Sequence, residues 1–307
     1  PEHAAEAGRR RPAVLEAQYR HTGAQAGQLT RKRLAAMKHV LLVTLFLIAS
    51  CATEAPETDA SNHYFWRPAS EGGAERPWAV LLPGSGGMSI FDDDGHYFRA
   101  AAWLNERGVD ALIVDYHGAA RFVRDAQEGS PGDRMAAIVA NAAKVQRAMG
   151  RMSTNCPGIA IGWSLGAEGT WTIAAQREQT DGIRAAVMFY PTVRILRPYS
   201  NVIPILVLQG ATDNVTPELD LREFVAARPP ESPAINVVAL EDTSEGFDGR
   251  SITQERTMRF PPLIGPQATF GYSAEATARA QSALDDFLSN QGISRDACTG
   301  TTSEAGG

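Results

Sequence analysis

A mostly parallel, twisted α/β sheet with helices on both faces is the fold class this sequence predicts. Two observations predict it. Short unbroken apolar runs alternate with stretches of helical spacing, the pattern of strands buried on both faces and joined by crossover helices. In addition, Gly162-Trp163-Ser164-Leu165-Gly166 follows the apolar run Ile159-Ala160-Ile161 and precedes a small-residue helical stretch over 167–175. Strand, sharp turn and helix are what a Gly-x-Ser-x-Gly elbow needs to hold a serine hydroxyl exposed at the tip of a turn.

The elements follow in order. Residues 51–61 are polar, with Pro56, and read as a tether. Residues 63–67 form a first edge strand, and Trp78–Leu82 a buried one that runs into Pro83-Gly84-Ser85-Gly86-Gly87. Apolar positions Phe98, Ala101, Ala102 and Leu104 predict a helix over 97–106, closed by Gly108. A strand is expected over 110–115, then an Ala-rich helix over 134–149 ended by Gly150. Beyond the serine elbow, strands are expected at 185–189, 205–208 and 235–240, and helices at 218–227 and 274–288. The folded domain spans 62–290, and 291–307 reads as a flexible tail. In such sheets function collects beyond the carboxyl ends of the strands. Ser164 and the loops after Leu82, Tyr116, Leu208 and Leu240 all fall there.

Ahead of the domain, Met37-Lys38-His39 is followed by the apolar stretch 40–49, then Ser50 and Cys51. This is shorter than the ~20 residues that span a bilayer, so it predicts an export signal over 37–50. Ile48-Ala49-Ser50-Cys51 resembles the lipobox of bacterial lipoproteins, which implies cleavage before Cys51 and lipidation of its thiol. The expected location is therefore the periplasmic or cell-surface side of a bacterial membrane, with the lipid as anchor. Residues 1–36 are Arg- and Ala-rich and are expected to be a mis-started or disordered extension outside the fold. The first fifty residues hold eight of the 29 Lys/Arg and three of the 35 Asp/Glu, so the remainder carries a net charge of about −11. That acidity argues against nucleic acid as a partner. Oligomeric state is left open. Cys156 and Cys298 are the two cysteines after Cys51, and an exported chain invites their pairing. Cys156 precedes the strand into the serine turn, and the last helix should deliver Cys298 to the same lower edge of the sheet.

A serine hydroxyl needs a base for its proton, an acid to orient that base, and donors for the oxyanion. The residue after the nucleophile supplies one N–H, here Leu165. The glycine-rich loop after Leu82 supplies another, for which Ser85 is the candidate. A phosphate cradle is the competing use of that loop, but no Gly-Lys-Ser/Thr follows it. Asp213 ends Leu206-Val207-Leu208-Gln209-Gly210-Ala211-Thr212-Asp213, after the serine in chain order, as a catalytic acid would be. The plain alternative is a residue closing an Asx turn.

Together these landmarks resemble the dienelactone hydrolase family, a branch of the α/β-hydrolases. The likeness runs from Trp78 to Leu288. It rests on Leu81-Leu82-Pro83-Gly84-Ser85-Gly86-Gly87, Val114-Asp115-Tyr116, the Ser164 elbow, Tyr190-Pro191, the stretch ending in Asp213 with Thr216-Pro217, Gly246-Phe247-Asp248, and Gly271-Tyr272-Ser273-Ala274-Glu275-Ala276. The resemblance implies an α/β-hydrolase fold and hydrolysis of small-molecule esters or lactones, without metal or organic cofactor. One departure is serious. Relatives place a histidine base after the last strand, where this chain has Glu245, and no histidine follows His117. Three accounts stand. Glu245 is the base, as the acid-favouring Ser/Glu/Asp sedolisin peptidases do on another fold; or His117 or His96 is recruited, with His63 a weaker candidate; or catalysis is lost and the pocket binds. An arginine that holds a substrate carboxylate in the founding enzymes has no match here: Gly249 stands in its place, with Arg250 beside it. Trp163 reads as core, with pocket wall as the alternative.

Overall fold

A computed structural model describes residues 57–70, 75–176, 182–196, 200–259, 267–295 and 297–298. The expected extension, the export signal and Cys51 lie outside the described residues.

Seven strands form the main sheet: β1 (Tyr64–Arg67), β2 (Trp78–Leu82), β3 (Asp110–Val114), β4 (Gly158–Trp163), β5 (Ile183–Phe189), β6 (Ile205–Gly210) and β7 (Ile235–Leu240). Their order is β1-β3-β2-β4-β5-β6-β7. Only β1 runs antiparallel to its neighbour, pairing Tyr64 with Val114. The rest are parallel, with Leu82 beside Gly162 and Trp163 beside Phe189. The strands at the centre are buried on both faces, and alternate side chains feed two cores. Val80 and Leu82 point into one with Met135, Ile138 and Trp171. Ala79 and Leu81 point into the other with Tyr97, Leu104, Leu284 and Phe287. This two-sided burial is why the strands read as unbroken apolar runs.

Helices α1 (His96–Glu106), α2 (Tyr116–Ala119), α3 (Pro131–Ala148), α4 (Leu165–Ala175), α5 (Glu218–Ala226) and α6 (Ala274–Asn290) connect and flank the strands. The third helix starts earlier than apolar spacing suggests. Ser130 accepts from Asp133 N–H, Asp133 returns the bond, and Pro131 fills the first turn, a capping box that sets the start regardless of the apolar pattern.

Three differences from expectation have physical causes. The described part of the stretch read as tether, 57–61, lies in a 3-10 turn from Glu57 to His63, with Ala60 buried in the core. In the stretch read as tail, Ile293 is buried, and Cys298 is bonded to Cys156, the pairing expected of the two cysteines. Polar composition hid Ala60 and Ile293, because single buried residues leave no periodic signal. Finally, a two-stranded antiparallel sheet, β8 (Arg256–Arg259) with β9 (Gln267–Phe270), was not foreseen. Each strand is only four residues long, and β8 is exposed throughout with a single apolar residue, Met258, too little for a pattern.

Candidate active site

Ser164 sits between β4 and α4 with φ +49° and ψ −114°. A non-glycine residue at positive φ is strained, and such strain persists only where the surroundings enforce it. Here the enforcement comes from close packing around the elbow's two glycines. A Cβ on Gly162 would strike Thr170 Oγ1 and the Gly166 carbonyl, and one on Gly166 would strike the carbonyls of Leu82 and Pro83. The Ser164 N–H donates to the Phe189 carbonyl at 3.0 Å. The residue is 8% exposed, and it opens into a cavity of about 240 Å³.

The loop after β7 delivers Glu245 to this serine. Ser164 Oγ–H donates to Glu245 Oε1 at 2.8 Å. Backbone bonds hold the carboxylate there: Thr212 N–H donates to the Thr243 carbonyl, and Gly271 N–H, at the end of β9, donates to the Glu245 carbonyl at 3.2 Å. The unforeseen hairpin thus clamps the loop that carries Glu245. Glu245 is 3% exposed, and its Oε2 is buried with no hydrogen-bond partner. Burial first, and then the charge of Asp213, push its pKa up to about 8, against a smaller pull from Ser164.

Asp213 lies close enough to act on Glu245 by charge, but no hydrogen bond joins them. Its Oδ1 accepts from the N–H groups of Val215 at 2.7 Å and Thr216 at 3.0 Å. Its Oδ2 accepts from Gln209 Nε2 at 2.7 Å. Burial raises its pKa to about 6 in spite of those three donors. The side chain therefore closes its own turn, as the plain alternative has it, and also presents a charge to Glu245. Gln209, which fixes it, was missed in the sequence because a glutamine at a strand end carries no distinctive spacing.

The two alternative bases are elsewhere. His117 is exposed on α2, with its ring against Tyr116 and beside Gly87. His96 is the first residue of α1 and 5% exposed, so it is no loop residue. Its Nε2 lies 3.5 Å from Asp248 Oδ2, and it lines a different cavity of about 410 Å³ between α1 and α6. His63 is held by Asp115 at 2.8 Å. None of the three lines the cavity of Ser164.

Of the oxyanion candidates, Leu165 begins α4, where the first N–H groups have no intrahelical acceptor. Ser85 is exposed and lines the serine's cavity. Ile90, Phe91, Tyr97, Tyr190, Met258 and Phe270 make the remaining wall largely apolar. Trp163 is core, stacked on Phe189 with centroids 4.9 Å apart, and it borders both cavities as well. Its indole N–H donates to Asp248 Oδ2, and Tyr190 O–H donates to Asp248 Oδ1, both at 2.8 Å. Arg250 lines the larger cavity, away from the serine. Among the described residues, no group of three or more His, Cys, Asp or Glu side chains is gathered as a metal site would be.

No protein-family model matches the chain, and no curated protein matches its sequence. Solved structures do match in shape. Esterase 2 of Thermogutta terrifontis phosphonylated by sarin superposes with a TM-score of 0.54 at 15% identity, over 75% of this chain and 90% of that one. The butyrate-bound form of the same thermophilic esterase gives 0.53 at 16% identity, over 75% and 90%. At such identity the likeness is one of fold, and with the seven-stranded, mostly parallel sheet it defines an α/β-hydrolase fold.

Proposed function

We propose that the protein is a serine-nucleophile hydrolase of small ester or lactone-type molecules, similar to dienelactone hydrolases, with Glu245 as the base in place of histidine. The observation that carries this reading is the 2.8 Å hydrogen bond from Ser164 Oγ–H to Glu245 Oε1, made at a strained elbow that opens into an apolar cavity. That the solved structures named above are of an esterase, one with butyrate bound, agrees with it.

In this mechanism ionised Glu245 takes the hydroxyl proton as Ser164 Oγ bonds to the substrate's carbonyl carbon. The carbonyl π electrons move onto oxygen, where the N–H groups of Leu165 and Ser85 receive the charge. As the tetrahedral centre collapses, Glu245 returns the proton to the leaving alkoxide. Water then attacks the acyl-serine, again through Glu245, and frees the acid. The Asp213 charge disfavours ionised Glu245, which raises both its basicity and the pH at which it becomes available. The sign follows directly. Glu245 is protonated below about 8, so turnover rises with pH through that value instead of peaking in acid.

The test is labelling of Ser164 by a fluorophosphonate, followed from pH 5 to 9 by mass spectrometry. Adduct formation on Ser164 that accelerates toward pH 8–9 is expected. A second reading draws on one observation: Glu245 Oε2 is buried with no hydrogen-bond partner, so burial favours the protonated carboxyl and leaves Ser164 without an ionised base. On that reading the domain binds a small ligand without turnover, and labelling fails at every pH.

We also propose that the enzyme is exported and lipid-anchored through Cys51. Metabolic incorporation of palmitate that disappears in Cys51→Ala is the expected result. Incorporation unchanged in that variant would rule the anchor out.

A further inference from the structure

Tyr97 lies on α1 and is 1% exposed, so it reads as a core residue. Its ring packs edge-on against Trp163, with centroids 5.3 Å apart. Tyr97 also lines the serine's cavity, and its hydroxyl accepts a hydrogen bond from Gly84 N–H, in the loop on that cavity's wall, at 2.8 Å. A point above Gly84, where a Cβ would stand, lies 3.6 Å from the Tyr97 oxygen, 3.6 Å from Ser164 Cβ and 3.4 Å from the Trp163 carbonyl. The hydroxyl and the nucleophile's methylene therefore flank the same small space.

A tyrosine hydroxyl has one proton to give and lone pairs to receive with. Gly84 N–H uses a lone pair. Among the described residues no acceptor takes the proton. Asp248 is near enough to act on Tyr97 by charge, but it spends its oxygens on Trp163 and Tyr190. Buried hydroxyls rarely leave a proton unused, and one that does in a cavity wall is set to donate to whatever enters. The bond from Gly84 also aligns the hydroxyl before any ligand arrives, and it removes Gly84 N–H from the oxyanion's donors.

We propose that Tyr97 is a catalytic residue, its Oη–H the third donor to the oxyanion beside the N–H groups of Leu165 and Ser85. This rests on the hydrolase reading of Ser164. When Ser164 Oγ adds to the carbonyl carbon and its proton passes to Glu245, the carbonyl π pair becomes a lone pair on oxygen, and Tyr97 Oη–H shortens onto that oxygen without giving up its proton. Burial holds the phenol's pKa well above its usual value, so it remains a donor where Glu245 ionises. A neutral donor suits this place, because the Glu245 carboxyl already lines the cavity and an ionised phenol would oppose the oxyanion.

The experiment measures kcat and KM on p-nitrophenyl acetate at pH 8.5 for the wild type, Tyr97→Phe, and a protein with 3-fluorotyrosine at position 97. Tyr97→Phe keeps the ring, and a lost oxyanion donor lowers kcat by about 10²–10³, with KM within about twofold. That variant also strands Gly84 N–H, so the fluorinated side chain decides the cause. Fluorine makes the hydroxyl a stronger donor and a weaker acceptor. A donor to the oxyanion then holds kcat at or above the wild-type value, whereas a group needed only to accept from Gly84 lowers it. A drop in kcat with 3-fluorotyrosine, or an unchanged kcat in Tyr97→Phe, overturns the proposal while leaving Ser164 as nucleophile. A wild type with neither turnover nor fluorophosphonate adduct overturns both, and is recognised by its own zero reading.

Discussion

Glu245 and Asp248 stand three residues apart on one loop, and their surroundings are opposite. Asp248 has both oxygens occupied, by the Trp163 indole and the Tyr190 hydroxyl, with His96 close by. It ties the loop to the residue before Ser164 and to the end of β5. Glu245 is more deeply buried, receives one bond from Ser164, and leaves Oε2 with nothing. One carboxylate is satisfied and serves as a bracket. The other is left short of donors beside a second buried charge, the setting that would make a carboxyl of ordinary acidity a base on the proposed reading. The bracket makes the reactive arrangement possible, since the strained elbow and a starved carboxylate both need a rigid frame.

The comparison can be broken at several points. Ser164→Ala should remove the fluorophosphonate adduct and lower kcat by about 10³ or more, with the fold unchanged in circular dichroism; residual turnover above a tenth of wild type would place the nucleophile elsewhere. Glu245→Gln keeps an acceptor for Ser164 but cannot take its proton, and should cost about 10²–10⁴ in kcat/KM. Its stability should respond in the opposite direction. The folded-state pKa of Glu245 is raised from 4.5 to about 8, so the wild type's extra stability is full below about 4.5 and lost as pH climbs through about 8. Glu245→Gln should lack that loss and melt roughly 4–8 °C above wild type at pH 9, if about 2 kcal/mol is recovered. Equal melting temperatures would mean that Glu245 does not carry the buried charge.

Smaller effects sharpen the contrast. Asp213→Asn removes the charge that adds to the shift of Glu245. The pH at half-maximal rate should therefore fall, and an unmoved profile would show that burial alone sets it. Asp248→Asn leaves one of its two donors facing an amide nitrogen. It should destabilise the fold by about 1–3 kcal/mol, read by denaturant melts, and leave the position of the pH profile where it was. A profile that shifts would make Asp248 part of the proton chemistry. His117→Ala should change kcat/KM by less than about twofold, because its ring lies beside Gly87 and outside the cavity.

Much of this was legible in the chain. The elbow, the glycine loop, the strand runs and the Cys156–Cys298 pairing are local or topological, and each leaves a residue pattern. Trp78–Leu82 and Ile235–Leu240 form as the apolar runs suggest, although β7, an edge strand, is half exposed where burial was expected. The β8–β9 hairpin was not legible, because each of its strands is only four residues long, and neither was the burial of Ala60 and Ile293 at the two ends of the domain, since single buried residues leave no pattern. His96 illustrates the same limit. Loop-like flanks suggested solvent, but the fold buries it against Asp248, 152 positions on.

The sequence by itself determined that a serine would crown a strand-to-helix turn and that no histidine would occupy the usual place after the last strand. Only the tertiary structure decided which side chain meets that serine, because Glu245, His96 and His117 all lie near one edge of the sheet and differ in where their loops are held. It also set the direction in which the acidity of Glu245 is shifted. A carboxyl's acidity is set by the water it has lost and the charge it faces, and neither is written in the residues on either side of it.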